Sequence, residues 1–188
     1  QLAAKNIGQH FWHKEQYDSA AFYYNVAMDA TRKMQEGKDA DDALSQMYGT
    51  LGNLYSSMDS TSVAMEYYEK AGEIFKKHSW NDSSAALYYN MGETMRYAGE
   101  LDLAEKYYQE SLDYSILTGD SLNVATAYKG LGSVYLDMRK TAKAIRYLNE
   151  ANLYFADHED EELQFRMESL DYTSQVLSLQ KRRLWIMI

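Results

Sequence analysis

The sequence contains no cysteine and no proline. Without cysteine it can form no disulfide and offers no thiolate to a metal, which leaves the redox compartment open. A chain rich in β-turns rarely dispenses with proline, whereas a helical one can. Basic side chains are in the minority, with 19 Lys and Arg against 28 Asp and Glu and a formal charge of −9. Such a surplus repels phosphate, so nucleic acid is excluded as a partner, while a basic protein is admitted. No run approaches the roughly 18 apolar residues that cross a bilayer. Only 10 glycines occur, scattered singly, so no phosphate-cradling loop can be drawn. No Ser-His-Asp order or nucleophile elbow is visible, and neither an enzyme nor a cofactor is expected.

What the chain does have is apolar content, 46%, and tyrosine, 18 in all. It also repeats itself. Ile7-Gly8, Leu51-Gly52, Met91-Gly92 and Leu131-Gly132 are spaced 44, 40 and 40 residues apart. Three residues after each glycine stands a large side chain: Phe11, Tyr55, Met95, Tyr135. Twelve after it stands an alanine: Ala20, Ala64, Ala104, Ala144. Tyr24, Tyr68, Tyr108 and Leu148 follow four later, and then the small residues Ala27, Ala71, Ser111 and Ala151. Offsets of three and four put these residues on one stripe of a helix. Glycine within a helix costs about 1 kcal/mol relative to alanine, so four at one phase imply close approach of a neighbour. That neighbour is expected to be the second helix of a hairpin. A single hairpin cannot cover its own apolar faces, so the hairpins must stack.

This pattern resembles the tetratricopeptide repeat (TPR) family over about residues 2–157. The motif residues are the Gly8, Gly52, Gly92 and Gly132 pairs, the aromatic that follows, the alanine and the second-helix Tyr and Ala. The period is longer than the family's usual 34, and the proline that often closes a repeat is missing. Longer repeats of this kind are familiar in TPR regions of signalling regulators. The resemblance implies an all-α fold: a right-handed α-solenoid of stacked antiparallel hairpins, about four repeats plus a C-terminal capping helix. The whole chain, 1–188, reads as one array, with repeats near 1–40, 41–80, 81–120 and 121–157. First helices are expected near 2–14, 41–57, 82–98 and 121–138, and second helices near 17–35, 61–77, 101–117 and 141–157. Asp18, Ser60, Asp82 and Asp120 lie where an N-cap would accept an orphan N–H. Gly37, Gly99 and Gly119 fall in turns. A capping helix is expected over 160–180.

The chain ends on Lys181-Arg182-Arg183 and five apolar residues. One reading is the start of a membrane span continuing beyond Ile188, with cations and Trp185 at the interface. The other is an apolar end packing on the fourth hairpin or on a second chain as a homodimer. The first residue is Gln1, which suggests a processed product or an excised fragment.

The resemblance implies that first helices line a concave groove, on the side away from the glycine stripe. The residues falling there are Lys5, Gln9, Trp12 and His13; Gln46, Gly49, Asn53, Ser56 and Ser57; Tyr89, Glu93, Arg96 and Tyr97; and Lys129, Ser133 and Asp137. Aromatic and hydrogen-bonding groups together suit recognition of a peptide or protein segment. Some TPR proteins clamp a C-terminal carboxylate with Lys and Asn. Lys5 and Asn53 echo that arrangement, but Ala86 and Asn90 leave it incomplete. His10 and His13 have a spacing that can share a metal, but no second pair completes a site, and no metal is expected. His78 and His158 read as loop residues. In the pairs Tyr23-Tyr24, Tyr67-Tyr68 and Tyr107-Tyr108, one ring is expected to be structural and the other to face a neighbouring hairpin or water. The function expected is a protein-interaction scaffold. The alternatives are an extracytoplasmic sensory region of a membrane-anchored regulator, and a self-associating module.

Overall fold

The computed structural model describes residues 1–34 and 36–155. They form eight α-helices: α1 (Leu2–His13), α2 (Tyr17–Thr31), α3 (Lys38–Ser57), α4 (Thr61–His78), α5 (Asn81–Tyr97), α6 (Leu101–Thr118), α7 (Ser121–Asp137) and α8 (Thr141–Phe155). No strand occurs among the described residues. Consecutive helices pair as hairpins, and the four hairpins stack in chain order into a solenoid. First helices of successive hairpins also approach one another, α3 to α5 and α5 to α7, more closely than second helices do. The second helices therefore splay on the outer side. The expected capping helix and the tail 181–188 lie outside the described residues.

The repeated glycines sit where the sequence requires contact. A methyl carbon at Gly8 would lie 2.8 Å from the Tyr24 ring, at Gly92 2.7 Å from the Tyr108 ring, and at Gly132 2.7 Å from Leu148. At Gly52 it would lie 2.5 Å from Tyr68 Cδ1. Each is a collision, so the second helix's large side chain occupies the space a first-helix side chain would need. Ala20, Ala64, Ala104 and Ala144 are fully buried beside these rings. The core runs on between hairpins: one cluster spans hairpins two to four, another hairpins one and two, and Tyr48 and Tyr55 border both. Full burial of each Leu or Met side chain contributes about 1.5–3 kcal/mol, and no single hairpin could achieve it.

The other ring of each tyrosine pair is half-buried and also packs on an aromatic ring of its own hairpin. Tyr23 stacks on Phe11 at 5.4 Å, Tyr67 on Tyr55 at 5.5 Å, and Tyr107 against Tyr88 at 6.3 Å. The partner is the large residue three after the glycine in hairpins one and two. Met95 holds that place in the third hairpin, and Tyr107 keeps the contact with Tyr88, whose counterpart Tyr48 also lies 6.2 Å from Tyr67.

The hairpin turns repeat as strictly as the glycines. Glu15, Asp59, Gly99 and Arg139, each seven after the repeat glycine, adopt positive φ of 57°, 54°, 81° and 58°. In each turn the next backbone N–H reaches back five residues, as from Gln16 to Phe11 O at 3.0 Å and from Lys140 to Tyr135 O at 2.8 Å. This closure satisfies carbonyls that the end of each first helix leaves free. The caps are a partial correction. Only Asp120 behaves as expected, accepting from the N–H groups of Leu122 at 2.9 Å and Asn123 at 3.1 Å. Asp18 and Asp82 lie inside the first turn, and Ser60, though at the N-cap, turns its hydroxyl to Met58 O at 3.4 Å.

Candidate peptide-binding face

The face formed by α1, α3, α5 and α7 carries the groove candidates, but it is not uniform. At its N-terminal end Lys5, Gln9, Trp12 and His13 line a single depression, joined by Tyr24 from α2 and Thr50 from α3. The spacing of three and four residues along α1 brings the first four together. Trp12 meets the Tyr24 ring edge-on at 6.2 Å. Lys5 makes no ion pair with a described residue.

The buried tyrosines differ in what their hydroxyls do. Tyr68 donates to Asn53 Oδ1 at 2.7 Å, and Tyr108 donates to Glu93 Oε1. Both acceptors directly follow a repeat glycine. Gln9 holds that position in the first hairpin, yet Tyr24 finds no hydrogen-bond partner among the described residues, although the residue is only 1% exposed. Every fully buried side-chain nitrogen or oxygen among the described residues has a partner, so the Tyr24 hydroxyl must be the part that meets solvent, at the depression. Burial pushes its pKa upward. Burial also pushes Tyr68 up to about 12, partly offset by the hydroxyls of Thr94 and Ser56. Tyr108 is raised further, by burial first and then by the charge of Glu93.

The C-terminal half is closed on itself. Arg96 meets both oxygens of Glu93, at 3.3 and 3.2 Å, and reaches across to Asp137 on α7 at 3.0 Å. Its side chain is 15% exposed. Burial works against the guanidinium charge, but Glu93 and Asp137 outweigh it and hold Arg96 more firmly protonated than usual. Ser56 and Thr94 likewise join α3 to α5 at 2.9 Å. Asn53, Glu93 and Arg96 thus have structural partners before any ligand arrives.

The other candidates separate by exposure. Tyr97 is 74% exposed, with the Arg96 guanidinium 4.6 Å from its ring centre. Tyr89 is half-buried and lies 5.5 Å from Tyr108. Lys129 is half-buried. Ser133, 5% exposed, is a correction: it is buried in a small-residue stretch of α7 and presents no surface to a partner. Sequence reasoning missed Thr50 and Tyr24. The signal for Tyr24 was the change from Asn53 and Glu93 to Gln9 at one repeat position. His78 was also misplaced. It is the last residue of α4, 2.6 Å from Asp41 Oδ2 and stacked on Trp80 at 4.6 Å. No group of three or more metal-ligating side chains forms among the described residues. No described helix is long and apolar enough to cross a membrane.

Residues 45–78 and 83–151 match the tetratricopeptide repeat. Together they make up more than half of the chain. The chain belongs to the tetratricopeptide repeat family. This repeat array is 29% identical over 141 residues to the regulatory protein RapK of Bacillus subtilis (strain 168), a match covering 74% of the array and 37% of RapK. The array thus spans well under half of that relative. Among solved structures, aspartyl phosphate phosphatase F from Bacillus subtilis superposes with a TM-score of 0.76 at 14% identity, over 96% of this chain and 50% of that one. The Rap conjugation gene regulator of the plasmid pLS20, in complex with the Phr* peptide, gives a TM-score of 0.69 at 18% identity, over 92% and 53%. At such identities the likeness is one of fold.

Proposed function

We propose that this tetratricopeptide repeat array is a protein-interaction scaffold that binds an extended peptide or protein segment along its inner face, anchored at the N-terminal depression. The observation that carries this reading is the Tyr24 hydroxyl, buried but for an opening into a depression also lined by Lys5, Gln9, Trp12, His13 and Thr50. A donor without an acceptor is an unused recognition group, and Trp12 supplies an apolar wall beside it. From there the segment runs past Asn53 and Tyr89 toward Lys129 and the exposed Tyr97. Glu93 and Arg96 serve mainly to hold hairpins three and four in register. The pLS20 regulator, described in complex with a peptide, supports the same use of the fold. The array is read as non-catalytic. The phosphatase that shares its fold at 14% identity carries no activity across to it. Neither the membrane-anchored nor the self-associating reading is favoured by an observation on the described residues.

The test is selection of peptides against the full chain from a random display library, followed by affinity measurement on Lys5→Gln and Tyr24→Phe. Both variants should weaken the selected peptides by about three- to tenfold, or roughly 1 kcal/mol, with the melting temperature unchanged. Peptides that bind wild type and both variants equally would overturn the anchor at this depression.

A further inference from the structure

The repeat is broken at one buried position. Twenty residues after the repeat glycine stand Met28 in the first hairpin and Leu112 in the third, 2% and 5% exposed. Each belongs to a core cluster shared with the next hairpin. In the second hairpin that position is Gly72. Packing does not demand a glycine there. A methyl carbon at Gly72 would meet only Leu87 Cδ2, at 3.2 Å, a contact relieved if that leucine tip shifts by a few tenths of an ångström, whereas the repeat glycines face rings or Leu148 at 2.8 Å or less. Helix propensity opposes it too, since an interior glycine costs about 1 kcal/mol. What the missing side chain leaves is a slot between hairpins two and three, on the side where second helices splay.

The lining of this slot is specific. Leu87 and Met91, each 5% exposed, form the floor. Tyr88 and Tyr114 form one wall, their rings nearly parallel at 5.5 Å. Glu69 and Glu73, one helical turn apart on α4, stand on the opposite rim with no ion-pair partner among the described residues. Lys76 also lines the slot. The Tyr88 hydroxyl is held above the ordinary tyrosine range, first by burial and then by Tyr114, Glu110 and Tyr107.

We propose that this outer slot is a second binding site, separate from the inner face, which takes one arginine side chain of a basic partner segment in place of the side chain missing at position 72. The arginine stem lies on Leu87 and Met91 as a long cationic side chain covers apolar surface. The guanidinium stacks on the Tyr88 and Tyr114 wall and pairs with Glu69 and Glu73. The chain's charge of −9 favours the approach of such a partner. Lys76 competes for the same carboxylates, so it tunes the site downward.

The test uses the full chain, observed by NMR through the Met91 methyl and the Gly72 amide. The probe is an acetylated, amidated glycyl-arginyl-glycine peptide, and the control is its citrulline counterpart, identical in shape but uncharged. Saturable shifts at both reporters are expected with the arginine probe and not with citrulline. Gly72→Leu should weaken the probe at least about tenfold while holding or raising the melting temperature, because it restores the side chain that the neighbouring hairpins carry. Glu69→Gln and Glu73→Gln should each weaken it about two- to fivefold, and Lys76→Gln should tighten it. Should Gly72→Leu fail to fold, the carboxylate variants and Lys76→Gln still decide. Equal binding of the citrulline peptide, shifts confined to inner-face residues such as Asn90 and Glu93, or weaker binding in Lys76→Gln would overturn the proposal.

Discussion

A methyl carbon at Gly130 of α7 would lie 2.5 Å from Cε1 of Tyr108 on α6, so the ring of one hairpin is held against the bare backbone of the next. The same ring faces Gly92 within its own hairpin, where the corresponding distance is 2.7 Å. Tyr108 is thus clamped between two glycines, fully buried, with its hydroxyl tied to Glu93. It has no direction in which to yield.

Gly130→Ala should therefore destabilise by about 1–3 kcal/mol, the cost of overpacking a core that cannot relax. Gly49→Ala should do the reverse. It lies in α3 with nothing within 4 Å of its added methyl, so better helix propensity should stabilise by about 0.5–1 kcal/mol. For a chain of this size each kcal/mol moves the melting temperature by about 2–4 °C. Calorimetry that found both substitutions neutral would contradict the clamp.

The four hairpin turns share one left-handed residue but not one residue type. Gly99→Ala should cost about 1 kcal/mol, since φ is +81° there and a side chain resists that region. Arg139→Gly, at φ +58°, should be neutral or slightly stabilising despite the greater freedom it gives the unfolded chain. Denaturation midpoints of the two single variants check the opposite signs.

Loss of a hydroxyl should matter in one hairpin and not in another. Tyr68→Phe leaves Asn53 Oδ1 without its 2.7 Å donor and should lower stability by about 1 kcal/mol. Tyr24→Phe removes a hydroxyl that has no partner among the described residues and should leave stability within about 0.5 kcal/mol of wild type. A Tyr24→Phe variant as destabilised as Tyr68→Phe would show that the first hairpin satisfies its hydroxyl internally.

Stability should fall at both ends of the pH scale, for different reasons. Asp41 is held below the usual carboxylate range, first by the Lys77 ammonium at 2.6 Å and then by His78. A depressed folded pKa contributes stability above the unfolded value of about 3.9, and that contribution is lost as pH falls through the lower, folded value. The stability difference between wild type and Asp41→Asn should shrink accordingly in acid. Tyr68, raised to about 12 mainly by burial, has the opposite sign. Its contribution is complete below the unfolded value of about 10 and is lost as pH rises toward the folded one. Tyr108 and Tyr135 shift in the same direction. Absorbance titration should show a class of tyrosines that ionises only as the fold opens.

The sequence by itself determined the helices, their pairing and their stacking order. Small residues recurring at one phase leave only one way for helices to touch, and that constraint is local and periodic. Gly8, Gly52, Gly92 and Gly132 each predicted a neighbour, and each has one in its own second helix. Helix ends followed to within a few residues, although Asp18 and Asp82 show that an acid near a helix start is not thereby a cap. Only the tertiary structure decided which surface groups remain for a partner. Glu93 and Arg96 look alike available in the sequence, but they are held by Tyr108 and by Asp137, which stands 41 residues beyond Arg96. Ser133 has the right phase and the wrong burial. Tyr24 and Gly72 stand out because the structure shows what their counterparts in other hairpins do. Availability depends on contacts between residues far apart in the chain, and a repeat pattern records the contacts that recur rather than those made once.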